Sequence, residues 1–392
     1  MKLADRQICN GCGACYSICH VHCISMEENS EGFLFPQINE KSCINCGICR
    51  KTCPMNKTQT ERTGKVKILN AFAVINKNEE IRRDSSSGGV FTILAEKIID
   101  EGGVVFGAKF NENWEVIHDY TETKDGVTAF RGSKYVQSWI GNTYKLVKKF
   151  LTENRGRKVL FTGTPCQIGG LKSYLQKDYE KLITVDIICY GVPSPKVWQK
   201  YVEFREGLAG SKVAKIAFRR KKYGWMQSSV LFAFTNGTEY CKVFQEDLFI
   251  SVFFKNLCLR KSCYSCGFKT TNRISDITIA DFWGVKNVAP EMFDDKGTSL
   301  VLLQSPKGKD LFDKIKSGTT FIGVNFENAV RYNPAAFRSA DESKNREKFM
   351  KNVDKFYFDK LAKKYTKANV VLRALRKIKR ALFIVLKGER QK

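Results

Sequence analysis

Only three histidines, His20, His22 and His118, occur in 392 residues. No grouping of His, Ser and Asp argues for triad hydrolysis, so the chemistry must rest on other side chains. Long apolar runs are missing too. The longest apolar string, Ala381 to Leu386, is far shorter than a bilayer-crossing helix. The opening residues, MKLADRQICNG, lack the apolar core of a secretory signal, so the expected location is cytoplasmic. Acidic residues are scarce: 40 Asp and Glu stand against 66 Lys and Arg, a formal charge of +26. Such a field favours acidic carrier proteins, phosphate-bearing cofactors, nucleic acid or anionic lipid as partners. No solenoid-type repeat is present. The length calls for two or three domains rather than one core.

Cysteine, by contrast, is abundant. Fifteen occur, nine of them before residue 54. In a reducing compartment disulfides are not expected, and clustering of this kind points to metal ligation. CNGCGACYSICH (9–20) recurs 34 residues later as CINCGICRKTCP (43–54). Each copy has the spacing C-x2-C-x2-C-x3-C of bacterial two-cluster ferredoxins. Three thiolates hold one [4Fe–4S] cube, and the fourth cysteine of each run ligates the other. The crossed assignment gives Cys9, Cys12, Cys15 and Cys53 to one cluster, and Cys43, Cys46, Cys49 and Cys19 to the second. Gly11, Gly13 and Gly47 let backbone N–H groups approach sulfur. Zinc sites instead pair two C-x2-C units a dozen or so residues apart. The second run ends in Pro54, the first in His20. Cys23 is left over and reads as a small buried hydrophobe.

The polar stretch 56–65 reads as a linker. Beyond it, strand-like and helix-like segments alternate. ILNAFAVI (68–75) is strand-like, and SSSGGVFTILAEKIIDEG (85–102) enters a helix that ends at glycine. VVFGAKF (104–110) and WEVIHDY (114–120) suggest a hairpin. A helix is expected over 142–154. Residues 157–175 read as strand, tight turn, helix. Residues 182–191 form a buried strand, and 213–244 alternate strands around the turn at Asn236-Gly237. The expected class is α+β or α/β. A bacterial-type dicluster ferredoxin domain (1–58) precedes a mixed α/β flavin-binding body (66–330, in parts 66–150 and 151–330) and a basic helical tail (331–392).

Five strings occur in one order: SSSGGVF, RGSKYVQS (131–138), LFTGTPCQIGGLK (160–172), DIICYGVPSP (186–195) and SCYSCGFKTTNRISDITIADFWG (262–284). Together they resemble the coenzyme F-420 hydrogenase/dehydrogenase beta subunits, in the form with an N-terminal ferredoxin-like segment. The resemblance covers about residues 1–330. It implies an iron–sulfur flavoprotein with FAD and a further [4Fe–4S] cluster in the body. Some members reduce the deazaflavin coenzyme; others act on different compounds or occur among genes for surface-polysaccharide synthesis.

The body offers six thiols for that further cluster. Cys263 and Cys266 form a C-x2-C pair, while Cys166 and Cys189 sit at strand ends, where side chains converge. Those four are the expected ligands. Cys258 is the substitute, and Cys241 reads as inert. Gly88 and Gly89 open a helix, where unpaired N–H groups suit a phosphate, with Ser85, Ser86 and Ser87 adding hydroxyls. With the resemblance, this becomes the expected FAD pyrophosphate site. Lys134, Tyr135 and Gln137 are expected beside the flavin. The Thr162-Gly163-Thr164-Pro165 turn should bring N–H groups to the same cofactor. Lys134 and Asp281 are the candidate catalytic residues, and Trp283 a pocket wall.

In the tail, residues 370–387 put Val371, Leu375, Ile378, Leu382 and Leu386 on one helical side, with Lys and Arg between. Such a helix suits either an anionic membrane face or packing on the body or a partner. The expected function is oxidoreduction: electrons from a carrier, expected to be an acidic ferredoxin, reach a small substrate through the clusters and FAD. The alternative is an adaptor subunit of a larger redox complex with no substrate of its own. Nucleic acid is not an expected partner.

Overall fold

The structure is a computed structural model; it describes residues 3–59, 68, 70–153 and 156–366. The 370–387 segment and most of the 56–65 linker lie outside the described residues. No helix among the described residues is long and apolar enough to cross a membrane. The architecture is mixed α/β behind an N-terminal ferredoxin-like region.

The cysteine repeat folds as a repeat. Helices Ala14–Ile18 and Ile48–Thr52 each start after a glycine in the left-handed region, Gly13 at φ 74 and Gly47 at φ 73. A side chain is disfavoured there, so glycine turns the chain sharply after Cys12 and after Cys46. Each helix is then followed by an extended cysteine, Cys19 and Cys53. Between the two copies lies an antiparallel hairpin, β1 (Ile24–Glu28) and β2 (Leu34–Ile38). The sequence reading did not assign this hairpin.

The body is built on an eight-stranded sheet. Its strands are β3 (Asn70–Asn76), β4 (Val104–Phe110), β5 (Val116–Thr121), β6 (Val159–Gly163), β7 (Leu182–Ile187), β11 (Ile277–Asp281), β12 (Ser299–Leu303) and β13 (Thr319–Val324). Their order is β13-β3-β12-β11-β7-β6-β4-β5. The central four, β4, β6, β7 and β11, are parallel, and the flanking strands are antiparallel. A parallel sheet is buried on both faces. Accordingly Val159, Leu160 and Phe161 of β6 are fully buried, and Leu182, Ile183 and Val185 of β7 are buried too, while Ile187 at the strand's end is exposed. Helices Val90–Asp100 and Pro165–Leu175 cover the sheet. A separate antiparallel sheet is formed by β8 (Val213–Arg220), β9 (Ser229–Phe234) and β10 (Glu239–Val243), with Gly237 at φ 82 in the expected turn. It packs its apolar face on Trp198, Tyr201 and Phe249.

Residues 331–366, read from the sequence as the start of the tail, are built into the body. Phe349, Met350, Phe358, Leu361 and Ala362 join the Trp198 core. The buried Arg346 holds both carboxylate oxygens of Glu31 at 2.8 and 2.6 Å. The high Lys and Arg content hid this, because those charges lie on the outer side of short amphipathic helices.

Candidate metal centres and cofactor cleft

Thiol neighbourhoods in the N-terminal region follow the crossed pattern. Burial raises the Cys12 thiol well above its usual pKa, and the nearby thiols of Cys15, Cys53 and Cys9 push it further. Cys15 is raised by burial and then by Cys9 and Cys53. Cys49 is raised by burial and then by Cys19, Cys46 and Cys43. A cavity is walled by Cys19, Cys43, Cys46 and Cys49.

Among the body cysteines, Cys166, Cys189, Cys263 and Cys266 share one small cavity. Cys166 follows β6 and Cys189 follows β7, at adjacent carboxyl ends of the parallel sheet. Cys263 and Cys266 come from the short helical turn at 261–263 and the loop after it. Burial, then Cys266, pushes Cys166 up to about 12, while Thr164 and Arg260 pull it down. Cys263 is raised by burial, Cys189, Cys266 and Cys166. Cys258 is not in this set. It lies in the Trp198 core, where burial pushes it up to about 12. Cys241 sits on β10, with Sγ 3.5 Å from the Ser229 hydroxyl.

Two observations test whether these cavities suit an iron–sulfur centre. Among the described residues no three His, Cys, Asp or Glu side chains converge on a single-ion site. A cube with an iron at each corner holds its four thiolates further apart than one ion does. Second, Arg260 is 1% exposed and pairs with no carboxylate among the described residues. Its nearest anionic candidate is the Cys9 sulfur, at 3.8 Å. A buried cation requires a countercharge, which a thiolate-bound cluster supplies.

Arg260 is also the joint between the N-terminal region and the body. Its guanidinium donates to the Cys9 carbonyl (2.7 Å), the Leu34 carbonyl (3.0 Å) and Gln137 Oε1 (2.9 Å), and stacks 4.1 Å from the Phe35 ring. Gln137 donates in turn to the Asn10 carbonyl at 3.0 Å. Beside this joint, Gly170 lies within the helix that starts at Pro165-Cys166. A Cβ there would stand 3.1 Å from the Cys12 sulfur and 2.7 Å from the Tyr144 hydroxyl. Glycine inside a helix costs about 1 kcal/mol relative to alanine; here it lets Cys12 approach.

On the other side of Cys166 and Cys189 lies a cleft of about 740 Å³, within the range of ligand sites. Its walls include Ser86, Ser87, Gly89, Lys134, Tyr135, Gln137, Thr162, Gly163, Thr164, Asp281 and Trp283. Gly88 and Pro165 do not line it. The Gly88 N–H is taken by the Ser299 hydroxyl at 2.9 Å. A Cβ at Gly88 would lie 2.4 Å from the Val74 carbonyl oxygen, so glycine is required there for space. Pro165 faces the cysteine cavity.

The serine loop is pre-set. Ser86 Oγ accepts from the Ser133 N–H (2.7 Å) and hydroxyl (2.9 Å), which docks RGSKYVQS on SSSGG. Lys221 Nζ holds the Ser87 carbonyl at 2.6 Å.

Three cleft residues escaped the sequence reading. Arg219 grips both oxygens of Asp281 at 2.9 and 3.1 Å, and Trp225 Nε1 donates to the same carboxylate at 2.9 Å. Asp281 therefore acts as an anchor for Arg219 and for the Trp225–Trp283 stack (5.1 Å). Arg219 Nε is buried and has no acceptor among the described residues. His118 is buried, and desolvation pulls its pKa down to about 4, so it is neutral at neutral pH. The carbonyl of Thr162 accepts at Nε2 (3.0 Å), which leaves Nδ1 to accept from Ser138 (2.9 Å). Gln167 extends this network to the Thr164 N–H and holds the TGTP turn. A lone arginine or histidine on a strand carries no local motif; only Arg260, inside CLRKSC, stood near a flagged string.

Family models match three stretches of the chain. Residues 8–57 match a 4Fe-4S dicluster domain. Residues 71–143 match the N-terminal part, and 156–326 the C terminus, of the coenzyme F420 hydrogenase/dehydrogenase beta subunit. An uncharacterized protein of Methanocaldococcus jannaschii is 25% identical over 348 residues, which is 79% of this chain and 87% of that protein. The delta subunit of the NADH-dependent phenylglyoxylate dehydrogenase of Aromatoleum evansii is 37% identical over 57 residues, 14% of this chain and 56% of that subunit. A chain from the xenon-derivatised F420-reducing [NiFe] hydrogenase complex of Methanosarcina barkeri aligns at TM-score 0.47 and 20% identity, covering 76% of this chain and 91% of its own. With both parts of the beta subunit matched in order behind a dicluster domain, the chain belongs to the coenzyme F420 hydrogenase/dehydrogenase beta subunit family.

Proposed function

We propose that this protein is an iron–sulfur flavoprotein oxidoreductase that passes electrons between a ferredoxin-type carrier and a small substrate. In this reading Cys9, Cys12, Cys15 and Cys53 hold one [4Fe–4S] cluster, and Cys43, Cys46, Cys49 and Cys19 the second. Cys166, Cys189, Cys263 and Cys266 hold a third, and FAD occupies the cleft. Clusters carry single electrons, and a flavin, when bound, converts them into two-electron hydride chemistry. The substrate is the deazaflavin coenzyme or another metabolite, including one of surface-polysaccharide synthesis.

The observation that carries this reading is a shared wall. Cys166 and Cys189 line both the small cysteine cavity and the large cleft. Cys12 packs on the helix that begins beside Cys166. This shared wall supports a reading in which one-electron centres adjoin a two-electron site in one chain. Lys134 and the Ser86 hydroxyl line the cleft and can donate to phosphate or ring oxygens. Trp283 and Tyr332, 39% and 38% exposed at the cleft, leave room for a further molecule to enter. That opening favours a substrate of its own. The similarity of 57 residues to a dehydrogenase subunit supports the adaptor reading instead.

Anaerobic purification with iron and flavin analysis, and spectra before and after dithionite, tests the proposal. A broad band near about 400 nm that bleaches, with flavin present and about twelve irons per chain, is the expected result. A colourless zinc protein overturns it. A coloured protein with no turnover of any added substrate, active only with a partner, moves the assignment to the adaptor.

Lys134 adds a pH prediction. Its ammonium is pushed down to about 7 by loss of water, with only the Arg131 and Gly132 carbonyls nearby, both at 3.3 Å. It is charged below that pH and neutral above it. Binding of an anionic nucleotide to the cofactor-free protein should therefore weaken as pH rises through about 7. Lys134→Met should flatten the profile over about pH 6 to 8 in calorimetric titrations. An unchanged profile in the variant rules out this role.

A further inference from the structure

Cys23 belongs to neither cysteine run, yet its thiol stands among those of the second. It is 6% exposed. Its Sγ lies 3.4 Å from Cys19 Sγ. It walls the same cavity as Cys19, Cys43, Cys46 and Cys49. Five thiols therefore surround a space where a [4Fe–4S] cluster needs four. The placement is built in by the backbone. His22 adopts φ 53, a left-handed turn that non-glycine residues rarely take. The Cys23 carbonyl is pinned by the Asn39 N–H at 2.8 Å as β1 begins.

We propose that Cys23 is a reserve ligand of the second N-terminal cluster, able to replace Cys19. The inference rests on the reading of the repeat as two [4Fe–4S] clusters. In the exchange the iron–sulfur bond to Cys19 breaks and one to Cys23 forms. The proton released by the Cys23 thiol passes to the Cys19 thiolate across the 3.4 Å contact. No electron is gained or lost, and the total charge is unchanged. With Cys19 bound, the Cys23 S–H donates to the Cys19 sulfur. Such a donor stabilises the more negative, reduced state of a cluster.

Iron content and electron paramagnetic resonance of the full chain, purified anaerobically, test the proposal. Cys46→Ala is the control for the reading itself. Cys46 is exposed and has no spare thiol at hydrogen-bond distance among the described residues, so its loss should cost about four irons. If that variant loses no iron, the two-cluster reading fails. With the control behaving as expected, Cys19→Ala should keep the wild-type iron content and Cys19→Ala/Cys23→Ala should lose about four irons. Loss of about four irons from Cys19→Ala alone, or conversion to a three-iron signal, overturns the proposal while the reading stands. Cys23→Ala alone should keep its iron and shift one cluster's midpoint potential downward. An unmoved potential removes the hydrogen-bonding role, and this variant does not depend on Cys19→Ala folding.

Discussion

Cys189→Ser should lower the iron content from about twelve to about eight atoms per chain, with the N-terminal clusters and the flavin retained. The expected effect is large because Cys189 has two neighbours to serve. Its sulfur lines the small cavity with Cys166, Cys263 and Cys266, and the same residue walls the cleft. On the proposed reading, loss of the centre between them would remove the step that joins the N-terminal region to the cleft. Dithionite should then still bleach the N-terminal clusters, while reduction of the flavin by a protein carrier slows by orders of magnitude. Burial raises the Cys189 thiol and the Lys269 ammonium lowers it, so metal binding there has to displace a proton. Twelve irons in Cys189→Ser would remove Cys189 from the ligand set, and about eight irons in the unaltered protein would disprove the third cluster. Cys258→Ser is the matched control, since Cys258 lies in the aromatic core and should cost no iron.

Arg260→Leu should destabilise the fold by about 3–5 kcal/mol, because it strands buried acceptors on two modules at once. The Cys9 and Leu34 carbonyls and the Gln137 side chain lose their shared donor, and Phe35 loses its stacked cation. Thermal unfolding read by circular dichroism should show the N-terminal region melting ahead of the body. Arg260→Lys keeps the charge without the planar fork. It should therefore recover only part of the lost stability. If the leucine variant unfolds in one transition at the wild-type temperature, Arg260 is not the joint between the modules.

How legible each feature was depended on how far apart in the chain its parts lie. The ferredoxin repeat was readable because eight cysteines and the glycines at 13 and 47 act within a dozen residues of one another, where local turn geometry decides the outcome. The strand–turn–helix at 157–175 was readable for the same reason: an apolar run, a Thr-Gly-Thr-Pro turn and a helix follow directly. The hairpin of β1 and β2 was not read, since LFPQI carries a proline and a weak alternation. The short helices at 346–351 and 358–366 resemble the basic tail in sequence because lysines are interleaved with the few residues they bury.

The sequence by itself determined the metal-binding spacing, the basic charge and the family strings, because these are properties of contiguous residues. Only the tertiary structure decided which body thiols meet. Cys166 and Cys189 come together with Cys263 and Cys266 because β6 and β7 pair in parallel and end at one edge, across about a hundred residues of intervening chain. Cys258, only five positions from Cys263, is turned into the core instead. Packing of β8, in the separate sheet, beside the end of β11 put Asp281 against Arg219, and folding of the hairpin brought Cys23 against Cys19. Side-chain direction at such points depends on long-range packing, to which no local pattern is coupled.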